Sequence, residues 1–187
     1  MPLGFRVDFA AMHAPSIIDV EASGFGRGSY PIEIGFVTSS GESWCALIQP
    51  QPGWQHWEES AEQLHGISRE VLARHGRPVA QVAREINERL KGQTVYSDGW
   101  GNDFSWLGSL YDEAEISPSF RLHSLRELLT EAEAGRWHAV KSRVAEELDL
   151  QRHRASGDAK VLQLALMRIK NGIEPCPDPE QGSSDRP

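Results

Sequence analysis

Cysteine is nearly absent. Cys45 and Cys176 are the only two in 187 residues, and they show no metal-ligand spacing. That argues against a cysteine-held zinc and makes a reduced, cytoplasmic setting the expectation. No apolar run reaches membrane-spanning length, so no membrane segment is expected. The first residues carry Arg6 and Asp8 and no continuous apolar block, so no signal peptide is expected either. Basic charge is scarce: 19 Lys and Arg stand against 27 Asp and Glu, a formal net charge of −8. This argues against a broad basic cradle for long duplex nucleic acid. It leaves room for a small site that grips phosphate through metal ions. There is no internal repeat.

What is present is an ordinary globular composition, 39% hydrophobic and 25% charged. The length predicts one domain with a sizeable core. The chain is organised around Asp19-Val20-Glu21, which ends the β-branched run Ser16-Ile17-Ile18. In a strand, residues i and i+2 share a face. Two like charges on one face repel and call for neutralisation, and hard carboxylate oxygens suit Mg²⁺ or Mn²⁺. The plainer alternative is a strand end where two acids meet solvent.

Residues 1–15 read as a leader. Strands are expected at Ser16–Val20, Ile32–Thr38 and Ser43–Ile48, the last two forming a hairpin across Ser39-Ser40-Gly41. Short helices follow between Trp54 and His75. Trp54 and Trp57 read as packing for them. Pro78 opens a helix with Val79, Val82, Ile86 and Leu90 at helical spacing, closed by Gly92. Thr94–Ser97 is a fourth strand, Asp103–Glu115 a helix and Phe120–His123 a fifth strand. Leu125–Leu150 reads as helix interrupted near Gly135, and Ala155–Asn171 as a last amphipathic helix. Residues 172–187, rich in Pro, Ser, Asp and Glu, read as a disordered tail. Strand–helix–strand steps imply parallel pairing with right-handed crossovers. The expected fold is α/β: a mixed sheet of about five strands with helices on both faces.

Three further groups bear on the Asp19–Glu21 pair. Asp103 stands at the expected start of a helix, as a cap or as an acid aimed at the end of the first strand. Asp98 competes with it, but Asp103 is followed by core residues and is preferred. His153 and Asp158 are five apart, which fits a histidine in a loop and an aspartate in a helix's first turn. The plainer alternative is a surface histidine and a cap.

Asp19-x-Glu21, Asp103 and His153-x4-Asp158, in that order, resemble the DEDDh group of 3′–5′ exonucleases, which includes DnaQ-like proofreading subunits, ribonuclease T and oligoribonuclease. Asp19-Val20-Glu21-Ala22-Ser23-Gly24-Phe25, with Ile32-Glu33-Ile34-Gly35 downstream, resembles the first family motif. Leu64-His65-Gly66-Ile67-Ser68 resembles the His-Gly-Ile segment. His153-Arg154-Ala155 with Asp158-Ala159 resembles the third motif. The likeness runs over Ser16–Ile169, and the domain it implies over 16–171. Two departures stand out. Ala22-Ser23 replaces the Thr that often follows the Glu. The second motif reads Asp98-Gly99-Trp100-Gly101-Asn102-Asp103 where Asn-x-x-Phe-Asp is common.

The resemblance implies a ribonuclease H-like fold and hydrolysis of nucleotides from a 3′ end of single-stranded or frayed DNA or RNA. Asp19, Glu21, Asp103 and Asp158 would hold two divalent ions, Mg²⁺ or Mn²⁺, about 4 Å apart across the scissile phosphate. His153 would take the water proton. Ser23, Gly24, Phe25 and His65 would contact substrate, Phe25 as an apolar wedge and His65 in the pocket for the terminal nucleotide. The alternatives are a loop Phe over the core and a helix-surface histidine. Trp100 reads as packing rather than a base platform. Two other functions fit: a phosphodiesterase for very short oligonucleotides, and an exonuclease-like module docking on a polymerase. A homodimer is a further expectation carried by the family alone.

Overall fold

The computed structural model describes residues 14–148 and 154–172. The expected leader and tail therefore lie almost wholly outside the described residues. Five strands appear: β1 (Ser16–Ala22), β2 (Pro31–Val37), β3 (Ser43–Leu47), β4 (Thr94–Ser97) and β5 (Arg121–Ser124). The helices are α1 (Glu59–His65), α2 (Arg69–His75), α3 (Val79–Leu90), α4 (Trp100–Glu113), α5 (Glu131–Leu148) and α6 (Ala155–Lys170). The strand order is β3-β2-β1-β4-β5. β1 pairs antiparallel with β2 and parallel with β4, so it lies where the sheet changes sense. β4 and β5 are also parallel. This is the mixed α/β sheet expected from the sequence.

The period of two along β1 divides the core. Ile18, Val20 and Ala22 face one side, packed with Val82, Ile86 and Leu90 of α3 and Leu107 and Leu110 of α4. Ile17 faces the other, packed with Leu162, Ala165 and Ile169 of α6 and Val140 and Val144 of α5. Helices thus cover both faces. Asp19 and Glu21 share the α6 side with Ile17. A third cluster, Tyr30, Ile32, Ile67 and Leu72, seats α2 and the turn before it, and Trp54 stacks on Tyr30 at 5.0 Å.

Two boundaries depart from the sequence expectation by more than two residues. α4 begins at Trp100, not Asp103, so Asp103 lies within the first turn and caps nothing. α5 runs through Gly135 without interruption. The break lies upstream, after a 3₁₀ turn at Leu125–Leu128. Ser124 with Glu127 forms a capping box there. Thr130 and Glu133 exchange a second reciprocal pair at 2.8 and 3.3 Å. Two Ser/Thr-x-x-Glu signatures outweighed one glycine, because each satisfies backbone N–H groups that a helix start leaves orphaned.

Candidate active site

β1 and β4 are parallel, and their C-terminal ends open where α4 and α6 begin. Strand order reverses between β1 and β4, and a crevice at such a switch point is a common ligand position in open α/β folds. A cavity of about 560 Å³ lies here, a size suited to a small ligand. Asp19, Glu21, Asp103 and Asp158 all line it.

One ligand oxygen each of Asp19, Glu21 and Asp158 lies within 4.8 Å of the other two. This convergence has two local causes. Gly35 is the β2 partner of Asp19. A Cβ on Gly35 would run into the backbone of Ala155 and Ser156 at the start of α6, well inside contact distance. Only glycine lets the helix backbone come down on the sheet there. Arg154 then locks the approach. Its guanidinium donates three hydrogen bonds to the Glu33 carboxylate at 2.6–3.2 Å, and the Ala155 N–H adds one at 3.0 Å. Glu33 is the β2 partner of Glu21 and is 1% exposed. Its charge is therefore satisfied, and it stands beside the acidic group as a clamp for α6.

Asp103 reaches the same cavity from the opposite side. It is 3% exposed and accepts a hydrogen bond from the Ser97 hydroxyl at the end of β4. Asp98 does something different. Its two oxygens accept from Trp137 Nε1 at 3.0 Å and from Lys141 Nζ at 2.6 Å, both on α5.

Electrostatics marks the cluster as short of positive charge. Burial, and after it the carboxylates of Asp103, Glu21 and Asp158, hold the Asp19 carboxyl well above its ordinary range. Glu21 is pushed up to about 7, by burial first, then by Asp158, Glu33 and Asp103, with Arg154 pulling the other way. Asp103 is pushed up to about 7 by burial, with the Ser97 hydrogen bond opposing and Asp98 adding. Hard, hydrogen-bond-hungry oxygens that resist ionisation together are the donor set a divalent cation satisfies. The residues present fit such an ion.

The expected substrate contacts fall into two groups. Phe25 is 60% exposed at the cavity rim, with its ring 5.9 Å from Trp106. Gly24 lines the cavity with φ +144°, and a Cβ there would strike Glu58 and His56 at 2.5–2.7 Å. His65 also lines it, nearly buried, its Nδ1 accepting from the Ile67 N–H at 3.0 Å. Ser23 instead sits behind the wall, fully buried. Its hydroxyl lies 3.2 Å from His56 Nδ1 and accepts from the Tyr30 N–H, bracing the loop that carries Gly24 and Phe25. His153 lies outside the described residues. Trp100, expected to pack, is 42% exposed and lies against Phe104. The sequence reading passed over His138, Lys141 and Ser142, which bring α5 to the cavity. Their i, i+3, i+4 spacing, set against apolar Val140 and Val144, was the available signal.

No family model matches the sequence, and no curated protein matches it. Solved structures do. The chain is similar to E. coli exonuclease I in complex with a dA16 oligonucleotide, at TM-score 0.62 and 12% identity over 82% of this chain and 40% of that one. It is similar to a moderately thermophilic exonuclease I from Methylocaldum szegediense, at TM-score 0.63 and 13% identity over 84% and 41%. The zinc-bound complex of E. coli exonuclease I with single-stranded DNA gives TM-score 0.62 and 13% identity over 84% and 41%. The chain thus spans about two fifths of the length of these proteins. At such identities the likeness is one of fold, and the fold is ribonuclease H-like. No helix among the described residues is long and apolar enough to cross a membrane.

Proposed function

We propose that this chain is a metal-dependent 3′–5′ exonuclease of the DEDDh group, acting on single-stranded or frayed 3′ ends. One observation carries the reading: Asp19, Glu21 and Asp158 converge within 4.8 Å at the end of β1, in a sheet like that of exonuclease I. Those three, with Asp103 facing them, would hold Mg²⁺ or Mn²⁺. Bound divalent ions there would lower the pKa of a water and offset charge on the scissile phosphate and leaving oxygen.

The chain's own residues do the rest. The raised proton affinities of Asp19, Glu21 and Asp103 mean that these carboxylates lose protons as they take up cations, so cation uptake depends on pH. His153, five residues before Asp158, would accept the proton of the attacking water, a role worth roughly 10²–10⁴-fold. Phe25 at the rim offers an apolar surface to the terminal bases, and Gly24 lets the loop pass His56 and Glu58 without a clash. His65 presents its ring to the terminal nucleotide. Ser23 acts through loop shape.

The test is a panel of DNA and RNA oligonucleotides, single and double stranded, from dinucleotide upward, labelled at either end and incubated with Mg²⁺ or Mn²⁺. The expected outcome is stepwise shortening from the 3′ end by the wild type and none by Asp19→Ala. Equal shortening by both proteins, or none by the wild type with any substrate, would remove the reading. Shortening of the shortest chains alone would make the protein the short-oligonucleotide phosphodiesterase.

A further inference from the structure

The cavity is acidic on three sides. Asp19 and Glu21 come from β1, Asp98 and Asp103 from the end of β4 and the start of α4, and Asp158 from α6. Lys141 is the only lysine or arginine among the described residues lining it. Its position is fixed. Nζ lies 2.6 Å from Asp98 Oδ2, while Asp98 Oδ1 is held by Trp137 Nε1 at 3.0 Å, one helical turn before Lys141. Asp98 follows Ser97, whose hydroxyl donates to Asp103. One strand end therefore sets both an acid facing the cavity and the carboxylate that aims the lysine.

From this geometry, and resting on the nuclease reading above, we infer that Lys141 contacts a backbone phosphate of the substrate strand and that Asp98 is the residue positioning it. A purely structural tie explains the pair less well. The two side chains are 33% and 29% exposed, so the ammonium stays open to a strand entering the cavity. α5 is already anchored by buried Val140 and Val144. An ammonium carries three donors, and Asp98 engages one, leaving two for phosphate oxygens. A phosphodiester nearing five carboxylates meets repulsion, and a fixed cation in the wall lowers it whether or not metal is bound.

The test is the affinity of a 5′-fluorescent single-stranded oligonucleotide, read by anisotropy with Ca²⁺ over a salt series. The proteins are wild type, Lys141→Gln, Lys141→Met, Lys141→Arg and Asp98→Asn, with thermal melting run alongside. Losing one phosphate contact should flatten the slope of log K against log salt by roughly 0.7–1 in Lys141→Gln and Lys141→Met. It should raise Kd roughly 3–10-fold at low salt. Lys141→Arg should keep the slope. Asp98→Asn should keep it too, since the cation remains, while kcat falls more than KM rises. Folded Gln and Met variants with the wild-type slope would overturn the inference. So would unfolding of both, which would make Lys141 a structural tie. Release of 3′ label in Mn²⁺ reads the nuclease proposal separately. Turnover with an unchanged slope removes only the lysine. A changed slope without turnover removes only the nuclease.

Discussion

Arg154 and Glu33 stand 121 residues apart in sequence and meet in a fork of three hydrogen bonds between the head of α6 and the middle of β2. Asp158 lies one turn further along the same helix. The clamp thus determines where Asp158 sits relative to Asp19 and Glu21. Arg154→Met leaves the Glu33 carboxylate buried with only the Ala155 N–H. Breaking a fully buried pair costs roughly 3–5 kcal/mol. Arg154 is partly solvent-facing, so about 2 kcal/mol is expected, read by urea denaturation, with Mn²⁺ affinity falling as α6 shifts.

Gly35→Ala places a methyl against the backbone of Ala155 and Ser156. Neither side can yield without moving the helix. A loss of roughly 1–3 kcal/mol is expected. Nuclease activity should fall by more than the unfolded fraction explains, since Asp158 moves with the helix. Circular dichroism melting and turnover on one preparation check both parts.

The raised carboxylates give a signed pH dependence. Glu21 and Asp103 titrate near 7 in the folded chain and near their ordinary values when unfolded. Between about pH 4.5 and 7 the native state therefore holds more protons than the unfolded one, so stability falls as pH rises. Metal-free protein should melt several degrees lower at pH 7.5 than at pH 5. Saturating Mn²⁺ should remove or reverse that slope, because bound cations replace the protons. Calorimetric scans with chelator and with Mn²⁺ read the difference.

Ser97→Ala removes the hydrogen bond that holds Asp103 down. The Asp103 carboxyl should rise further. The acid limb of the pH–rate profile should then move to higher pH, with activity recovering toward the wild-type plateau in alkali. A profile lowered uniformly at all pH values would contradict this.

His153→Ala should lose roughly 10²–10⁴-fold in kcat while Mn²⁺ uptake by calorimetry is unchanged. Loss of metal uptake would place the histidine among the ligands.

The sequence told most where one element carried its own rule. Period two put Asp19 and Glu21 on one face, and the strand and helix succession gave the mixed sheet and its two covered faces. The preference for Asp103 over Asp98 rested on the residues after it, of which Trp106 and Leu107 are buried but Phe104 is exposed; the cavity holds both acids, Asp98 turned to α5. What stayed hidden depended on distant partners. Gly35 reads as an ordinary strand glycine until α6 lies on it. Glu33 reads as a third acid beside the site until Arg154 arrives from far along the chain. Lys141 gains meaning only when α5 folds across the end of β4. Ser23, read as a substrate contact, has its hydroxyl taken by Tyr30 and His56, which no local pattern announces.

On the proposed reading, acids from β1, α4 and α6 make one seat for divalent cations. Anomalous diffraction from crystals soaked in Mn²⁺ and a short single-stranded oligonucleotide tests it most directly. Manganese peaks bonded to Asp19, Glu21 and Asp158, with Asp103 and the last phosphodiester of the strand beside them, are the expected result. Crystals that show ordered oligonucleotide and no manganese among those carboxylates would contradict it.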